Sequence, residues 1–239
     1  MIVLHYTGML STRAALERLR DPEKEVSCHY LIAENGEVFS LVSNEMRAWH
    51  AGRGSWGGCT DINSLSIGIE LANAGPDDGF PPFPEPQMAR LEDVLGEVME
   101  SWNIHPARVI GHSDLAPGRK IDPGPAFDWK RLAISGLSVW TVDWENRMGS
   151  GRDRPSAALR DERWSRFKSS AAEFGYAPES DDEIGWQAVL AAFRVRFRTA
   201  AGGLAGQNAV DPGDADVAAI TGLAREFRAK SIDPGKAGI

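Results

Sequence analysis

The sequence predicts an α/β domain with a central mixed β-sheet flanked by helices, followed by a small C-terminal three-helix domain. Three observations predict it. Short β-type runs alternate with amphipathic helical stretches through residues 1–145. An Asn-Gly turn joins two of those runs as a hairpin, so the sheet holds both parallel and antiparallel pairs. Composition then shifts over residues 146–156, a Gly-, Arg- and Ser-rich linker, and residues 157–239 show helical periodicity only.

Taken in order, Ile2–Tyr6 is a β-type run ending near His5. Ser11 and Thr12 can cap a helix whose apolar side carries Ala14, Ala15, Leu16 and Leu19, and Asp21-Pro22 stops it. Cys28–Ala33 and Val38–Val42 flank Asn35-Gly36 as the two arms of the hairpin. Trp49 opens a Gly-, Ser- and Trp-rich loop reaching about Asn63, a length expected of a functional or mobile segment. Ser66–Ala72 is the next strand, with Ile67, Ile69 and Leu71 on one face and Glu70 on the other. Met88, Leu91, Val94, Leu95, Val98, Met99 and Trp102 form one helical stripe. Val109–Gly111 is a short strand delivering His112, and Asp128 caps a last short helix from Trp129. Beyond the linker, one helix carries Leu159, Trp164, Phe167 and Phe174, and a second carries Trp186, Val189, Leu190, Phe193 and Phe197. A third, opened by Asp214 or Asp216, carries Val217, Ile220, Leu223 and Phe227.

Bulk properties narrow the function. A formal charge of -8 and a pI near 5.2 argue against nucleic acid as a partner, which needs a basic face. Cys28 and Cys59 allow at most one disulfide and lack the spacing of a cysteine zinc knuckle. No apolar run approaches the ~18–20 residues of a membrane span, and no export signal precedes the first strand. The expectation is a cytoplasmic monomer, or a periplasmic or envelope-associated protein if an upstream segment is missing.

The chemistry-bearing residues cluster at strand ends. His5 and His112 each close a strand, the sheet edge at which sites collect. Asp122 follows His112 by ten residues in a Gly- and Pro-stiffened loop, with Lys120 two positions before it. Two histidines and a carboxylate, with a fourth position left for water, are the ligand set of a hydrolytic zinc site. Glu70 sits in an otherwise apolar strand, where a carboxylate needs a partner or a task. Singly, each histidine reads as a core or surface residue rather than a ligand, and Lys120 as a solvated cation. Trp49, His50 and Trp56 fit either a core or the wall of a cleft. His29 is expected buried and hydrogen-bonded, and His105 exposed.

Five segments together resemble a known family: Val3–Thr7, Ser27–Ile32 with Asn35-Gly36, Trp49–Gly52, Ser66–Leu71 and Gly111–Gly124. They are similar to the zinc-dependent N-acetylmuramoyl-L-alanine amidases of the amidase-2 type, which share a fold with peptidoglycan recognition proteins. The final loop lies nearer the AmiD branch than the AmpD branch. The resemblance implies one Zn2+ per chain on His5, His112 and Asp122, with Glu70 activating the water and Lys120 stabilising the oxyanion. It implies hydrolysis of the amide between the MurNAc lactyl group and L-alanine, in peptidoglycan or (1,6-anhydro)muropeptides during cell-wall turnover or recycling. Trp49, His50 and Arg119 become candidate substrate contacts, and the helical region a candidate peptidoglycan-binding unit. Phage-type relatives carry a catalytic tyrosine where this chain has Cys28, so the proton-transfer role falls to Glu70. The alternative on the same fold is a peptidoglycan-recognition module without catalysis.

Overall fold

Ile2–Tyr6 (β1) is apolar on both sides, with Ile2, Val3 and Leu4 all fully buried, as befits a strand covered on both faces. The computed structural model describes residues 1–141, 156–198 and 210–229. β1 lies between β4 (Ile67–Leu71) and β5 (Val109–Gly111), parallel to both. The sheet continues from β4 to β2 (Tyr30–Ile32), again parallel, and closes with the antiparallel hairpin strand β3 (Val38–Ser40). The order β3-β2-β4-β1-β5 is the expected mixed sheet. Strands β2, β3 and β4 are shorter than their apolar runs. At their margins only single backbone bonds persist, such as His29 N–H to the Gly68 carbonyl and Leu41 N–H to that of His29.

Two crossovers place the site. α1 (Thr12–Arg20), capped by the Ser11 hydroxyl, carries the chain from β1 to β2. The short α2 (Ile62–Leu65) leads into β4, and α3 (Glu85–Trp102) carries the chain from β4 to β5, past β1, in the opposite direction. Right-handed crossovers taken in opposite directions put the two helices on opposite faces. The predicted stripe of α3 accordingly buries Met88, Leu91, Val94, Leu95 and Val98 against Ile2, Leu4, Ile69 and Leu71. α1 packs with Leu31 and Cys28 on the other face. His5 pairs in register with Glu70, and Glu70 with Leu31, so both polar side chains share the α1 face. They emerge at the carboxyl ends of adjacent strands, where the connections diverge.

After the short α5 (Trp129–Ile134), capped by Asp128, the helical region comprises α6 (Ala157–Phe174), α7 (Glu183–Phe197) and α8 (Asp214–Glu226). α8 begins at Asp214, one of the two expected openings, with Gly213 as its N-cap, and Asp216 reaches back to accept from the Gly213 N–H at 2.7 Å. Leu159, in the first turn of α6, is 39% exposed and stands outside the apolar stripe, which begins at Trp164. Most of the expected linker, residues 146–155, lies outside the described residues; Ser156 is the N-cap of α6. Core packing crosses between the two parts: Val3, Trp56, Ile110 and Leu115 share one buried cluster with Phe167, Phe174, Tyr176 and Phe193.

Candidate metal centre

His5 leaves the end of β1, and His112 begins α4 (His112–Leu115) directly after β5. Since Gly111 pairs with Leu4, the next position along each strand brings His112 beside His5. The chain then makes one helical turn and doubles back, and the Ser113 N–H donates to the Asp122 carbonyl at 2.9 Å. That bond closes the loop and sets Asp122 over the two rings. His5 Nδ1 lies 3.0 Å from His112 Nδ1, and Asp122 Oδ2 lies 2.9 and 3.0 Å from the two nitrogens. All three side chains are buried.

Hydrogen-bond partners behind the rings fix which atoms carry protons. His112 Nε2 faces the Ala51 carbonyl at 2.8 Å, an acceptor only, so Nε2 is protonated and Nδ1 presents a lone pair. The Ser66 hydroxyl donates to the Ile62 carbonyl at 2.6 Å and therefore accepts from His50 Nε2 at 3.2 Å. His50 Nδ1 is thus an acceptor, and takes the proton of His5 Nε2 at 3.0 Å. His5 Nδ1 is left with its lone pair as well. Burial, more than any neighbouring charge, lowers His5 to about 4 and holds His50 well below the usual imidazole range, so both rings are neutral.

With the rings in those tautomers, two imidazole nitrogens and a carboxylate oxygen converge with no proton between them. Such a triangle is repulsive unless a cation sits at its apex. Tetrahedral bonds of ~2.0–2.1 Å place ligand atoms ~3.3 Å apart, close to the spacing seen. Among the described residues, His5, His112 and Asp122 are the group of histidine, cysteine and acid side chains able to hold a metal ion. The donor set fits zinc.

A cleft of about 390 Å3 opens on this triangle, lined among others by Tyr6, His50, Glu70, Arg119 and Lys120. Glu70 Oε2 is sealed from solvent and has no hydrogen-bond partner. Burial, reinforced by the negative charge of Asp122 and countered by Lys120, pushes the Glu70 carboxyl well above its usual value. A basic carboxylate without a partner beside a cation site is suited to accept a proton.

The other expected residues fall differently. His50, open between core and cleft wall by sequence, lines the cleft yet is 6% exposed, with its Nδ1 against His5; a Cβ on Gly68 would come within 2.4 Å of its Cγ. Trp49 is 52% exposed and stands apart from the residues lining the cleft. Trp56 is core, edge-on to Tyr176 and Phe174. Arg119 is exposed at the rim and donates to the carbonyls of Ala51 and Arg53. The loop from Trp49 to Asn63 is tied back on itself: Asn63 Oδ1 accepts from the N–H groups of His50 and Ala51 at 3.1 and 2.8 Å. His29 is buried, with Nε2 donating to Met46 and Nδ1 accepting from Gly68, and His105 is exposed, as expected. Tyr6 is a cleft residue that the sequence pattern does not reveal: it stands beside His5, and burial, with Asp122, Asp77 and Glu70, raises its phenol to about 12. Strand alternation directs Tyr6 away from His5, which is why the pattern alone does not place it in the cleft.

Residues 1–125 match the family model described as N-acetylmuramoyl-L-alanine amidase, Amidase_2. The chain belongs to this family. The amidase AmiD of Escherichia coli (strain K12) is 38% identical over 152 residues, covering 59% of this chain and 54% of the relative. The 1,6-anhydro-N-acetylmuramyl-L-alanine amidase AmpD of Haemophilus influenzae is 39% identical over 114 residues, 47% of this chain and 60% of the relative. The chain thus spans little more than half the length of these relatives. Among solved amidase structures, that of E. coli AmiD with anhydro-N-acetylmuramic acid-L-Ala-D-gamma-Glu-L-Lys superposes with a TM-score of 0.78 at 29% identity. It covers 95% of this chain and 89% of that one. AmpDh3 from Pseudomonas aeruginosa gives 0.74 at 29% identity, covering 95% and 91%. The agreement extends through the amidase sheet into the helical region.

Proposed function

We propose that this chain is a zinc-dependent N-acetylmuramoyl-L-alanine amidase that hydrolyses the amide joining the MurNAc lactyl group to L-alanine. The observation that carries the reading is the triangle of His5, His112 and Asp122, whose tautomers leave three lone pairs aimed at one point beside an unpartnered Glu70. Family membership supplies the bond class. The ligand in the AmiD structure, an anhydro-muramyl peptide, supports muropeptides as the substrate class.

His5, His112 and Asp122 would hold the metal. When bound, zinc supplies a water acidified toward neutrality and a Lewis acid for the scissile carbonyl. Glu70 accepts the proton of the attacking water and returns it to the departing L-alanine amine, the role its raised carboxyl suits. Lys120, partly buried in the lining of the cleft, donates to the oxyanion; one such donor is worth ~3 kcal/mol. Arg119 at the rim is placed to meet the anionic stem peptide. Among the described residues no helix is long and apolar enough to cross a membrane.

Mass spectrometry of products from anhydro- and reduced muropeptides, with and without a chelator, tests the reading. Release of the intact stem peptide, abolished by chelation and restored by zinc, is the expected result. Glu70→Gln should retain the metal and lose about 10²–10⁴-fold in kcat. Chelator-resistant cleavage, or cleavage at another bond, would overturn the proposal.

A further inference from the structure

Asp114 is fully buried two residues beyond His112, inside the turn that presents it. One of its oxygens, Oδ2, accepts from the Gly111 N–H at 2.8 Å, tying down the residue immediately before His112. The rest of its coordination comes from the helical region. Arg196 Nη1 of α7 reaches the same Oδ2 at 2.7 Å, and the Tyr176 hydroxyl donates to Oδ1 at 2.5 Å. Arg196 also spans back to the strand, its Nη2 donating to the Val109 carbonyl at 3.0 Å. Its guanidinium lies 4.5 Å from the Trp129 ring centroid and 4.9 Å from that of Phe197. Arg196 is 1% exposed and Tyr176 2%. Both ends of the segment Val109–Asp114, with His112 between them, are thus gripped from the helical region.

We propose that Arg196 and Tyr176 are positioning residues of the metal centre, and that the helical region is a structural part of that centre rather than only an attached binding unit. The inference rests on the metal reading above. A buried ion pair contributes little net stability over apolar packing, because desolvation cancels most of its attraction; its attested use is to enforce one geometry. Here the enforced geometry is that of β5 and the first turn of α4. His112 has no freedom of its own once Gly111 and Asp114 are fixed, because its Nε2 proton is held by Ala51. Groups that orient a metal ligand commonly affect metal affinity though they never touch the ion.

α7 provides its own control. Arg194, two residues before Arg196, is equally buried and pairs with Asp216 at 2.8 Å, within the helical region and away from the site. The test is titration of the metal-free 239-residue chain with Co2+, followed by its visible absorption and by competition with a chromophoric chelator, with thermal melts confirming the fold. Tyr176→Phe, which removes one oxygen only, and Arg196→Lys should each weaken Co2+ binding about tenfold or more and alter the Co2+ spectrum. Arg194→Lys should leave affinity and spectrum unchanged. Unaltered affinity and spectrum in folded Tyr176→Phe and Arg196→Lys would overturn the inference, as would an equal loss in Arg194→Lys. Failure of the unsubstituted chain to bind Co2+ would instead overturn the metal reading, and this inference with it.

Discussion

Two helix starts in this molecule are built alike and serve different ends. Gly111 precedes α4 and Gly213 precedes α8; three residues on, Asp114 and Asp216 each return a carboxylate to the glycine N–H. Each aspartate is then met by an arginine of α7, Arg196 for the first and Arg194 for the second. Residues two apart on a helix face away from each other, so one helix holds both sites at once. The difference lies in the first residue of each helix. After Gly213 comes Asp214, spent on a surface pair with Arg163. After Gly111 comes His112, a proposed metal ligand. The same cap stabilises a helix in one place and aims an imidazole in the other.

Breaking the two caps should give equal losses of stability and unequal losses of function. Arg196→Met and Arg194→Met each leave a buried carboxylate without its cation, costing roughly 3–5 kcal/mol in chemical denaturation. Of the two, Arg196→Met should also lower metal affinity when measured under conditions where both proteins remain folded. Equal affinities would erase the distinction.

Acid should separate the two parts of the molecule by a different route. His5, His29 and His50 are all lowered by burial, His5 from 6.5 to about 4. The unfolded chain takes up protons that the folded chain resists. Their stabilising contribution is therefore complete above pH ~6.5 and is lost as pH falls toward 4, at up to about 1.4 kcal/mol per pH unit for each histidine. Arginine stays charged throughout. Hydrogen exchange of the metal-free protein at pH 7 and pH 5, corrected for intrinsic rates, should show β1 and β4 losing protection before α7. Simultaneous loss would mean the shared core, not the histidines, governs opening.

The smaller effects sharpen how the His5 side is wired. His50→Leu removes the acceptor of the His5 proton, and should weaken metal binding about 10–100-fold. His50→Asn, which keeps an acceptor near the Nδ1 position, should recover part of that loss. Ser66→Ala acts one bond further out, and a few-fold change is expected by the same chelator competition.

Period-two and period-3.6 patterns, with Asn35-Gly36, are enough to read the sheet, the crossover helices and the placement of His5, Glu70 and His112 at strand ends. They suffice because each records a local rule: alternation, capping, turn geometry. The support around the site is non-local and leaves no such trace. His50 is one histidine in a Gly-rich loop, and nothing near it in sequence says that its partner is His5, 45 residues earlier. Arg196 reads as one more basic residue on an amphipathic helix, although its carboxylate partner lies 82 residues away. Trp56 suits a cleft or a core equally well by sequence, and the helical region beyond the expected linker decides for the core. A polar, Gly-rich stretch such as residues 146–156 signals a break in the chain's local pattern; it carries no information about whether the cores on either side merge.

One position contributes by lacking a side chain. Gly68 sits mid-strand, where a side chain would ordinarily strengthen β4, and its bare Cα is what lets the His50 ring lie against the sheet. A single methyl group there would evict an imidazole, free the proton of His5 Nε2 to shift tautomer, and spoil a metal site that residue 68 never touches. An alanine at 68 would thus present as a metal-binding defect in a protein whose every proposed ligand is intact.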